Sequence, residues 1–188
     1  MRGLGFVAHY RARILPGLPG EGHGSLQFAR PGQSIHREGL VVRVDGKDGG
    51  AWVGNFQRGP EGLDGVFPTP SPSVVCVVAG GQGYLVPVDN PTEYVVVDAM
   101  PIKEVRAIAA KGILIFVDYV RLVGYGPSGC LWRTRRLSWD GIRLTDVTPE
   151  RIAGFGRDAS QGTEVPFSVD VDTGRSEGGS TPEPESFS

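Results

Sequence analysis

Short apolar runs separated by turn residues dominate the chain between residues 37 and 175. The runs are rich in valine, isoleucine and aromatic residues, and they recur every 8–12 residues or so. Clear examples are residues 40–44, 74–79 and 113–117. This pattern predicts a single all-β domain over residues 37–175, with about a dozen short antiparallel strands in meanders that form a sandwich, a partial barrel or a partial propeller.

Turn residues between the runs predict how neighbouring strands connect. Glycine-rich stretches at residues 45–50 and 80–83 suit hairpins. Three prolines at alternate positions over residues 68–72 predict an extended crossing, because proline cannot donate to a strand ladder. Pro87 marks the run that contains it as an edge or terminal strand.

Helix-forming patterns are scarce, and we expect at most one short helix. The best candidate covers residues 101–112, with Pro101 at a possible first position and Gly112 at the end. A second start signal, a Thr148 cap before Pro149, is stopped within about one turn by Gly154.

The two ends of the chain lack this periodicity. Residues 1–36 are rich in glycine and proline and show no lasting period of 2 or 3.6, so they predict a mostly irregular leader. Residues 176–188 are polar, contain Pro182 and Pro184, and predict a disordered tail.

Composition supports a turn-rich β protein and excludes several function classes. The 188 residues include 29 glycines and 15 prolines, too many for a helical bundle. The formal net charge is −2, which disfavours a nucleic-acid partner.

Neither a secretory signal nor a stretch of about 18 apolar residues is present, so the expected location is cytoplasmic, without membrane contact. Cys76 and Cys130 lie in apolar runs and are expected to be buried thiols.

Residues 113–139 resemble one blade of a β-propeller of the quinoprotein type. The resemblance is carried by a strand at 113–117, a second at 121–125, the turn 126–129 and a tryptophan-bearing strand at 131–137. Weaker echoes recur at a spacing of about 40 residues. About three such blades fit the chain, whereas a closed propeller needs at least about four. The resemblance therefore implies a partial propeller, or closure by oligomerisation.

The core also resembles bacterial β-rich proteins that contain segments like WVGNFQ and GGQGY, here residues 52–57 and 80–84. Neither resemblance implies an activity.

The sequence lacks the familiar catalytic and cofactor motifs. The three histidines, His9, His23 and His36, are not spaced as zinc ligands, so no metal is expected. The glycines at 81 and 83 begin a dinucleotide-like motif, but Val86 and Pro87 follow where a helix would have to open. No phosphate-binding loop or GxSxG motif is present. We therefore expect no cofactor.

Four aspartates at strand ends leave one catalytic alternative. A carbohydrate-directed hydrolase would gather at least two of them in one cleft, whereas turn-forming aspartates would stay scattered. They are Asp98, Asp118, Asp140 and Asp158. The turn-forming interpretation is favoured.

Amide and phenol side chains form a first candidate binding constellation. Strand alternation puts Asn55 and Gln57 on the face opposite Trp52 and Phe56. Together with side chains of the glycine-rich hairpin they would line a shallow polar site for a small ligand. The candidate ligand contacts are Asn55, Gln57, Gln82 and Tyr84. Capping of open strand edges is the alternative.

Arginines interleaved with tryptophans form a second constellation. Alternation puts Arg133 and Arg135 on the face of Leu137 and Trp139, while Arg136 shares a face with Trp132. Guanidinium groups beside indoles can bind anions or stacked bases, or they can simply stack within a surface sheet. The candidate contacts are Trp132, Arg133, Arg135 and Trp139.

These observations favour a binding or interaction module without recognisable catalytic chemistry. Its partner would be a protein or a small polar ligand, and homo-oligomer formation is open. The alternatives are the carbohydrate-directed hydrolase and a subunit of a larger β assembly. Trp52 and Trp132 are expected to be largely buried.

Overall fold

Four β-sheets stacked face to face make up the fold. The structure is a computed structural model that describes residues 4–18, 20, 24–33 and 38–180. Over these residues it contains sixteen strands, two single turns of 3-10 helix at Pro91–Glu93 and Ala109–Lys111, and no α-helix. The all-β prediction is confirmed, with more strands than the dozen expected.

Sheet 1 takes its strands from the first third of the chain. Their bounds are Tyr10–Ile14 (β1), Leu26–Phe28 (β2), Leu40–Gly46 (β3) and Ala51–Phe56 (β4). β3 and β4 form the predicted hairpin, in which the Gly46 amide donates to the Gly50 carbonyl at 2.7 Å. β1 pairs antiparallel with β3, and β2 pairs parallel with β4. Both edges of this sheet therefore come from the N-terminal segment.

Sheet 2 is a meander of consecutive strands. Their bounds are Gly65–Pro68 (β5), Val74–Ala79 (β6), Gln82–Pro87 (β7) and Val95–Val96 (β8). Gly80 and Gly81 connect β6 to β7 with φ of +52° and +80°, the positive values that a two-residue hairpin turn requires. Pro87 was predicted to mark an edge or terminal strand, but β7 is an inner strand of its sheet. β7 lies between β6 and β8, and Pro87 follows the two residues that pair with β8.

Sheet 3 begins with a strand in the segment that was the best helix candidate. Its strands are Glu104–Ile108 (β9), Ile113–Val117 (β10), Leu122–Gly126 (β11) and Gly129–Arg133 (β12). The candidate helix over residues 101–112 is not formed; this segment holds β9 and the 3-10 turn at Ala109–Lys111, and Val105 packs towards sheet 2 while Ile108 packs on the opposite face. Successive side chains of a strand point to opposite faces of the sheet, so β9 can contribute to both cores, and its pairing with β10 supplies the backbone hydrogen bonds.

Sheet 4 closes the stack. Its strands are Ile142–Val147 (β13), Arg151–Asp158 (β14), Thr163–Asp170 (β15) and Ser176–Gly178 (β16). Thr148 caps no helix here. Its hydroxyl accepts the Arg151 amide at 3.0 Å and so shapes the turn between β13 and β14.

Each interface between consecutive sheets holds one apolar core. Prominent buried members are Phe28, Phe56 and Tyr84 between sheets 1 and 2, Phe67, Phe116 and Tyr125 between sheets 2 and 3, and Trp132, Leu137 and Phe167 between sheets 3 and 4. The four-stranded sheets thus stack like successive blades.

The N-terminal segment contributes more than the irregular leader expected for residues 1–36. Tyr10 and Phe28 are buried in the first core, and Leu4 and Phe6 pack against the second. Sequence periodicity misses Tyr10 and Phe28 because β1 and β2 are short and pair with strands later in the chain, and it misses Leu4 and Phe6 because they lie outside any strand. Residues 1–3, 19, 21–23 and 34–36 lie outside the described part.

The C-terminal segment also differs from expectation at its start. β16 pairs with β15, and Ser180 is buried. Residues 181–188, the rest of the expected tail, lie outside the described residues. The boundaries at residues 37 and 176 stay predictions.

The burial of the cysteines and tryptophans agrees with expectation at one residue of each pair. Cys76 is a buried free thiol as predicted, but Cys130 is exposed because it faces outward from edge strand β12. Trp132 is buried, whereas Trp52 is half-buried. Nowhere in the described chain does a helix have the length and apolar character needed to cross a membrane.

Candidate functional site

A cleft opens between sheets 2 and 3 where the turns at residues 69–73 and 126–129 face each other. We call this side the Pro70 end of the two sheets. The cavity measures about 170 Å³. Its apolar lining includes Val74, Leu85, Pro87, Val95, Leu114 and Tyr125.

The turn on the sheet 2 side is fixed by its own hydrogen bonds. The Thr69 hydroxyl lies 2.9 Å from each of the Ser71 and Val74 carbonyl oxygens. The Val74 amide donates to the Ser71 carbonyl at 3.1 Å. Pro70 lacks an amide hydrogen, so this wall of the cleft presents ring carbons without an unpaired donor.

The turn on the sheet 3 side depends on glycine. Gly129 has φ +127°, a conformation that side chains with a Cβ rarely adopt. The pairing of β11 with β12 shifts register beside Tyr125, which leaves Leu131 in a bulge. Leu131 is exposed, and its side chain occupies the space at the rim of the cleft that a Cβ on Gly126 would need.

The floor of the cleft is buried and its mouth is apolar. Leu114 is fully buried, whereas Val95 is 54% exposed. Tyr125 packs edge-on against Phe116 with ring centroids 5.5 Å apart. Burial raises the pKa of the Tyr125 hydroxyl, so that group stays neutral at physiological pH.

Polar contacts connect the segment after sheet 2 to sheet 3 behind the cleft. The Asp98 carboxylate lies 3.0 Å from Nε of Arg133. The Asp98 amide donates to the hydroxyl of Tyr125, a residue that lines the cleft, at 3.4 Å. The cleft therefore opens at the Pro70 end and is backed by these contacts.

The lining of the cleft is mainly apolar. Among the described residues that line it, Glu93 is the one charged residue, and none is histidine, cysteine, lysine or arginine. Thr69, Ser71 and Ser128 supply hydroxyls, but a serine nucleophile needs a base beside it. Across the described chain, no cluster of three acidic, histidine or cysteine side chains could hold a metal ion.

The predicted amide and phenol constellation lies elsewhere, around the first core. Tyr84 is fully buried, and its hydroxyl donates to the Gln57 carbonyl at 2.8 Å. Gln82 is also buried, with Nε2 3.3 Å from the Gly83 carbonyl. Asn55 is buried on the outer face of sheet 1, where its Nδ2 donates to Oε1 of Gln27 at 3.2 Å.

The structure therefore brings Gln57 and Tyr84 together but does not open a shallow polar site around them. The Gln57 side chain accepts the Arg30 amide at 3.3 Å. Burial raises the pKa of Tyr84. Ligand contact by these residues stays a prediction.

The arginine and tryptophan constellation is split between the interior and the surface. The Trp132 indole donates to the Val171 carbonyl at 2.7 Å. Trp139 is exposed, and the Arg136 guanidinium lies 4.7 Å from its ring centroid. The Arg135 guanidinium donates to the Gly178 carbonyl. Ligand contact here also stays a prediction.

The strand alternation predicted for this segment fails after residue 133. Leu137 is fully buried while Trp139 is exposed, although both were expected on one face. β12 ends at Arg133, and the Leu137 amide donates instead to the Val120 carbonyl at 2.7 Å. A period of two therefore no longer applies beyond that residue.

The four strand-end aspartates do not converge on the cleft. Asp118 accepts the Val120 and Arg121 amides at 2.7 Å each, and Asp158 accepts the Ser160 amide at 2.8 Å. Asp98 pairs with an arginine, and Asp140 is exposed. None of the four lines the cleft. Turn formation accounts directly for Asp118 and Asp158.

Sequence reasoning did not find the cleft residues. The sequence predicts an extended crossing at Pro70 and a turn at Pro127, and neither prediction points to a cavity. The available signal is the pair of proline-containing segments, each next to an apolar run, but whether the two segments face each other depends on how two sheets pack.

Comparisons with known proteins assign no family to this chain. No family model matches it, and no curated protein matches it. Among solved structures, one match is the "Crystal Structure of the N-terminal Domain of Nup159", with 12% sequence identity and a TM-score of 0.45. The match covers 94% of this chain and 51% of that one, so this chain spans about half the length of that domain. A likeness at this level assigns neither a fold family nor a function.

Proposed function

We propose that this protein is a binding module that takes an apolar side chain of a partner protein into the cleft between sheets 2 and 3. The observation that carries the proposal is the apolar cavity of about 170 Å³ with exposed Val95 and Leu131 beside its mouth. An engineered apolar cavity of about 150 Å³ is large enough to bind benzene. The cleft therefore has room for one phenylalanine ring or a residue of similar size.

Recognition through a side chain also follows from the edges of the sheets. One edge strand of each sheet is short or irregular: β8 has two residues, β2 and β16 have three, and β12 carries the bulge at Leu131. Short and bulged edges oppose the addition of a partner strand. The partner is bound instead through an apolar side chain that it inserts between sheets 2 and 3.

The chemistry of the cleft favours a protein segment over a small polar ligand. Glu93 is the charged group at its lining, and the walls consist mainly of aliphatic, proline and tyrosine side chains. Burying an apolar side chain there contributes roughly 1.5–3 kcal/mol. A cytoplasmic location remains part of the proposal, as does the quinoprotein-type blade resemblance, which bears on the fold alone.

The proposal is tested by titrating the full chain with acetyl-phenylalanine amide while recording backbone amide NMR shifts. We expect saturable shifts at Val95, Gly129 and Leu131. Acetyl-alanine amide, which lacks the ring, should leave these signals in place.

A matched pair of variants locates the binding. Ser128→Phe places a ring at the rim of the cleft and should weaken probe binding about tenfold, a loss of 1.4 kcal/mol. Ser160→Phe adds the same ring at an exposed serine, in the turn between β14 and β15 of sheet 4, that does not line the cleft, so it should leave affinity unchanged. Equal affinities for both variants, or shifts confined to another surface, would refute the proposal.

A further inference from the structure

A single carboxylate stands at the mouth of the cleft, on the connection between β7 and β8. Glu93 is the last residue of the 3-10 turn Pro91–Glu93, and its amide donates to the Asn90 carbonyl at 3.1 Å. The Glu93 side chain is exposed, and it lines the cleft together with exposed Val95. Among the described lining residues it alone is charged. The cavity is therefore apolar inside and acidic at one point of its rim.

Tyr94 determines the direction in which Glu93 points. The backbone is extended at Tyr94, with φ −68° and ψ 153°, so the residues before and after it lie on the side opposite to its ring. That ring packs edge-on against Phe28 in the first core, with centroids 5.1 Å apart, and its hydroxyl donates to the Ala29 carbonyl at 2.8 Å. Glu93 and Val95 are therefore turned away from sheet 1 and towards the cleft.

The Glu93 carboxylate has no hydrogen-bond or ion-pair partner among the described residues, whereas two other carboxylates of the same part of the chain are paired. Asp98 pairs with Arg133 at 3.0 Å, and Asp64 pairs with Arg58 at 2.6 Å. The facing wall of the cleft, at residues 126–129, supplies no cation. The rim therefore presents an uncompensated negative charge.

A partner that fills the cleft changes the surroundings of this carboxylate. Insertion of an apolar side chain removes water from the mouth of the cavity, and a charge that loses water without gaining an opposite charge is disfavoured. An anionic side chain next to the inserted residue is also repelled by Glu93. A lysine or arginine at that position compensates for the lost water through a charge-assisted hydrogen bond.

We propose that the partner presents its apolar side chain next to a lysine or arginine, and that Glu93 pairs with this cation. This inference rests on the proposed binding function of the cleft. The partner is then a basic segment with an apolar anchor. The cavity supplies the apolar contact, and Glu93 determines which flanking residues are accepted.

Three tripeptide probes test the inference by NMR titration of the full chain. All have acetyl and amide ends and a central phenylalanine, and the two flanking residues are lysine, glutamine or glutamate. The lysine probe should bind about threefold more tightly than the glutamine probe, an effect within the range of exposed ion pairs. The glutamate probe should bind more weakly than either. Raising the ionic strength from about 0.05 M to about 0.5 M screens the pair and should remove most of the preference.

A matched pair of variants assigns the preference to one side chain. Glu93→Gln should abolish it, so that the lysine and glutamine probes bind equally. Glu177→Gln removes the same charge from an exposed position on β16 that does not line the cleft, and it should keep the threefold preference. The comparison separates contact with Glu93 from attraction of a cation to the net charge of −2 of the whole chain.

The outcomes separate this inference from the proposed function on which it rests. Equal affinity for all three probes, with shifted signals at Val95, Gly129 and Leu131, would overturn the role of Glu93 and leave the binding cleft standing. Failure of every probe to shift those signals would overturn both. A preference for the lysine probe that survives in Glu93→Gln would assign the cation to another group and would also overturn the inference.

Discussion

The inner and outer sheets of the stack follow different rules of side-chain placement. In sheet 3, every residue of β10 and β11 is buried, because both faces of the sheet meet another sheet. In sheet 4, β14 alternates, with Ile152 in the core and Arg151 exposed. Position in the stack therefore determines whether a strand contains a continuous apolar run or an alternating pattern.

The outer faces of the end sheets carry charge pairs on their exposed parts. On sheet 4, Arg143 forms a two-point contact with Glu164, at 3.2 and 2.5 Å. On sheet 1, Arg43 pairs with Asp45 at 2.8 Å. Exposed pairs of this kind contribute little to stability.

The largest expected effect compares one phenylalanine from each environment. Phe116→Ala removes a fully buried ring from sheet 3 and should lower the free energy of unfolding by about 3–5 kcal/mol. Phe155→Ala removes a half-buried ring on sheet 4 whose main described partner is the Arg143 guanidinium, 4.8 Å from its centroid, and should cost about 1 kcal/mol. Chemical denaturation followed by fluorescence and circular dichroism measures both. Similar losses would show that the outer face of sheet 4 is not solvent-facing.

A second test compares turn aspartates of an inner and an outer sheet. Burial raises the pKa of Asp118 above its ordinary value of 3.8, despite the amides it accepts. The hydrogen bond from the Ser160 hydroxyl, assisted by the Ser160 amide, lowers the pKa of exposed Asp158. The two carboxylates should therefore respond to acid in opposite directions.

The stabilising contribution of Asp118 is present below its ordinary pKa and is lost as the pH rises through the raised folded value. That of Asp158 is present above its ordinary pKa and is lost as the pH falls through the lowered folded value. Acidification from about pH 6 to about pH 3 should thus favour the unmodified chain over Asp118→Asn and disfavour it relative to Asp158→Asn. The unfolding free energies of the unmodified chain and of each variant at several pH values measure this. If acidification changed the stability difference in the same direction for both variants, the burial assigned to Asp118 would be contradicted.

The smallest expected effect concerns the arginines after the cleft rim. Replacing Arg133 and Arg135 together by glutamine should change the free energy of unfolding by about 1 kcal/mol or less, because the Arg133 pair is exposed. The same denaturation experiment measures it. A loss as large as that of Phe116→Ala would make these side chains part of the framework that holds sheets 3 and 4 together.

The sequence predicts strands best where local pattern and stack position agree. The runs at β6 and β10 were identified because each is continuous and bounded by turns. β9 was missed because Pro101 and Gly112 look like helix ends, while the reason for extended structure is that Val105 and Ile108 serve two different cores. β1 and β2 were missed because their partners, β3 and β4, lie later in the chain.

The cleft is less accessible to sequence reasoning than the strands. Val74, Leu85, Val95 and Tyr125 come from four separate strands of two sheets, and each looks like an ordinary core residue in its own segment. Their convergence depends on the spacing of sheets 2 and 3 at one end, which no local pattern encodes. Asp118 and Asp158 illustrate the reverse, since their turn-forming role follows from local geometry and is favoured by the sequence.

The order of the sheets along the stack has a consequence for synthesis on the ribosome. The last strands of the four sheets end at residues 56, 96, 133 and 178, so each sheet is complete before the next begins. At roughly 5–20 residues per second, about forty residues emerge in about 2–8 s. An emerging sheet thus leaves one apolar face uncovered for only a few seconds before its neighbour arrives. Assembly can proceed from the N-terminus in steps, and the polar outer face of sheet 4 ends the succession of exposed apolar surfaces.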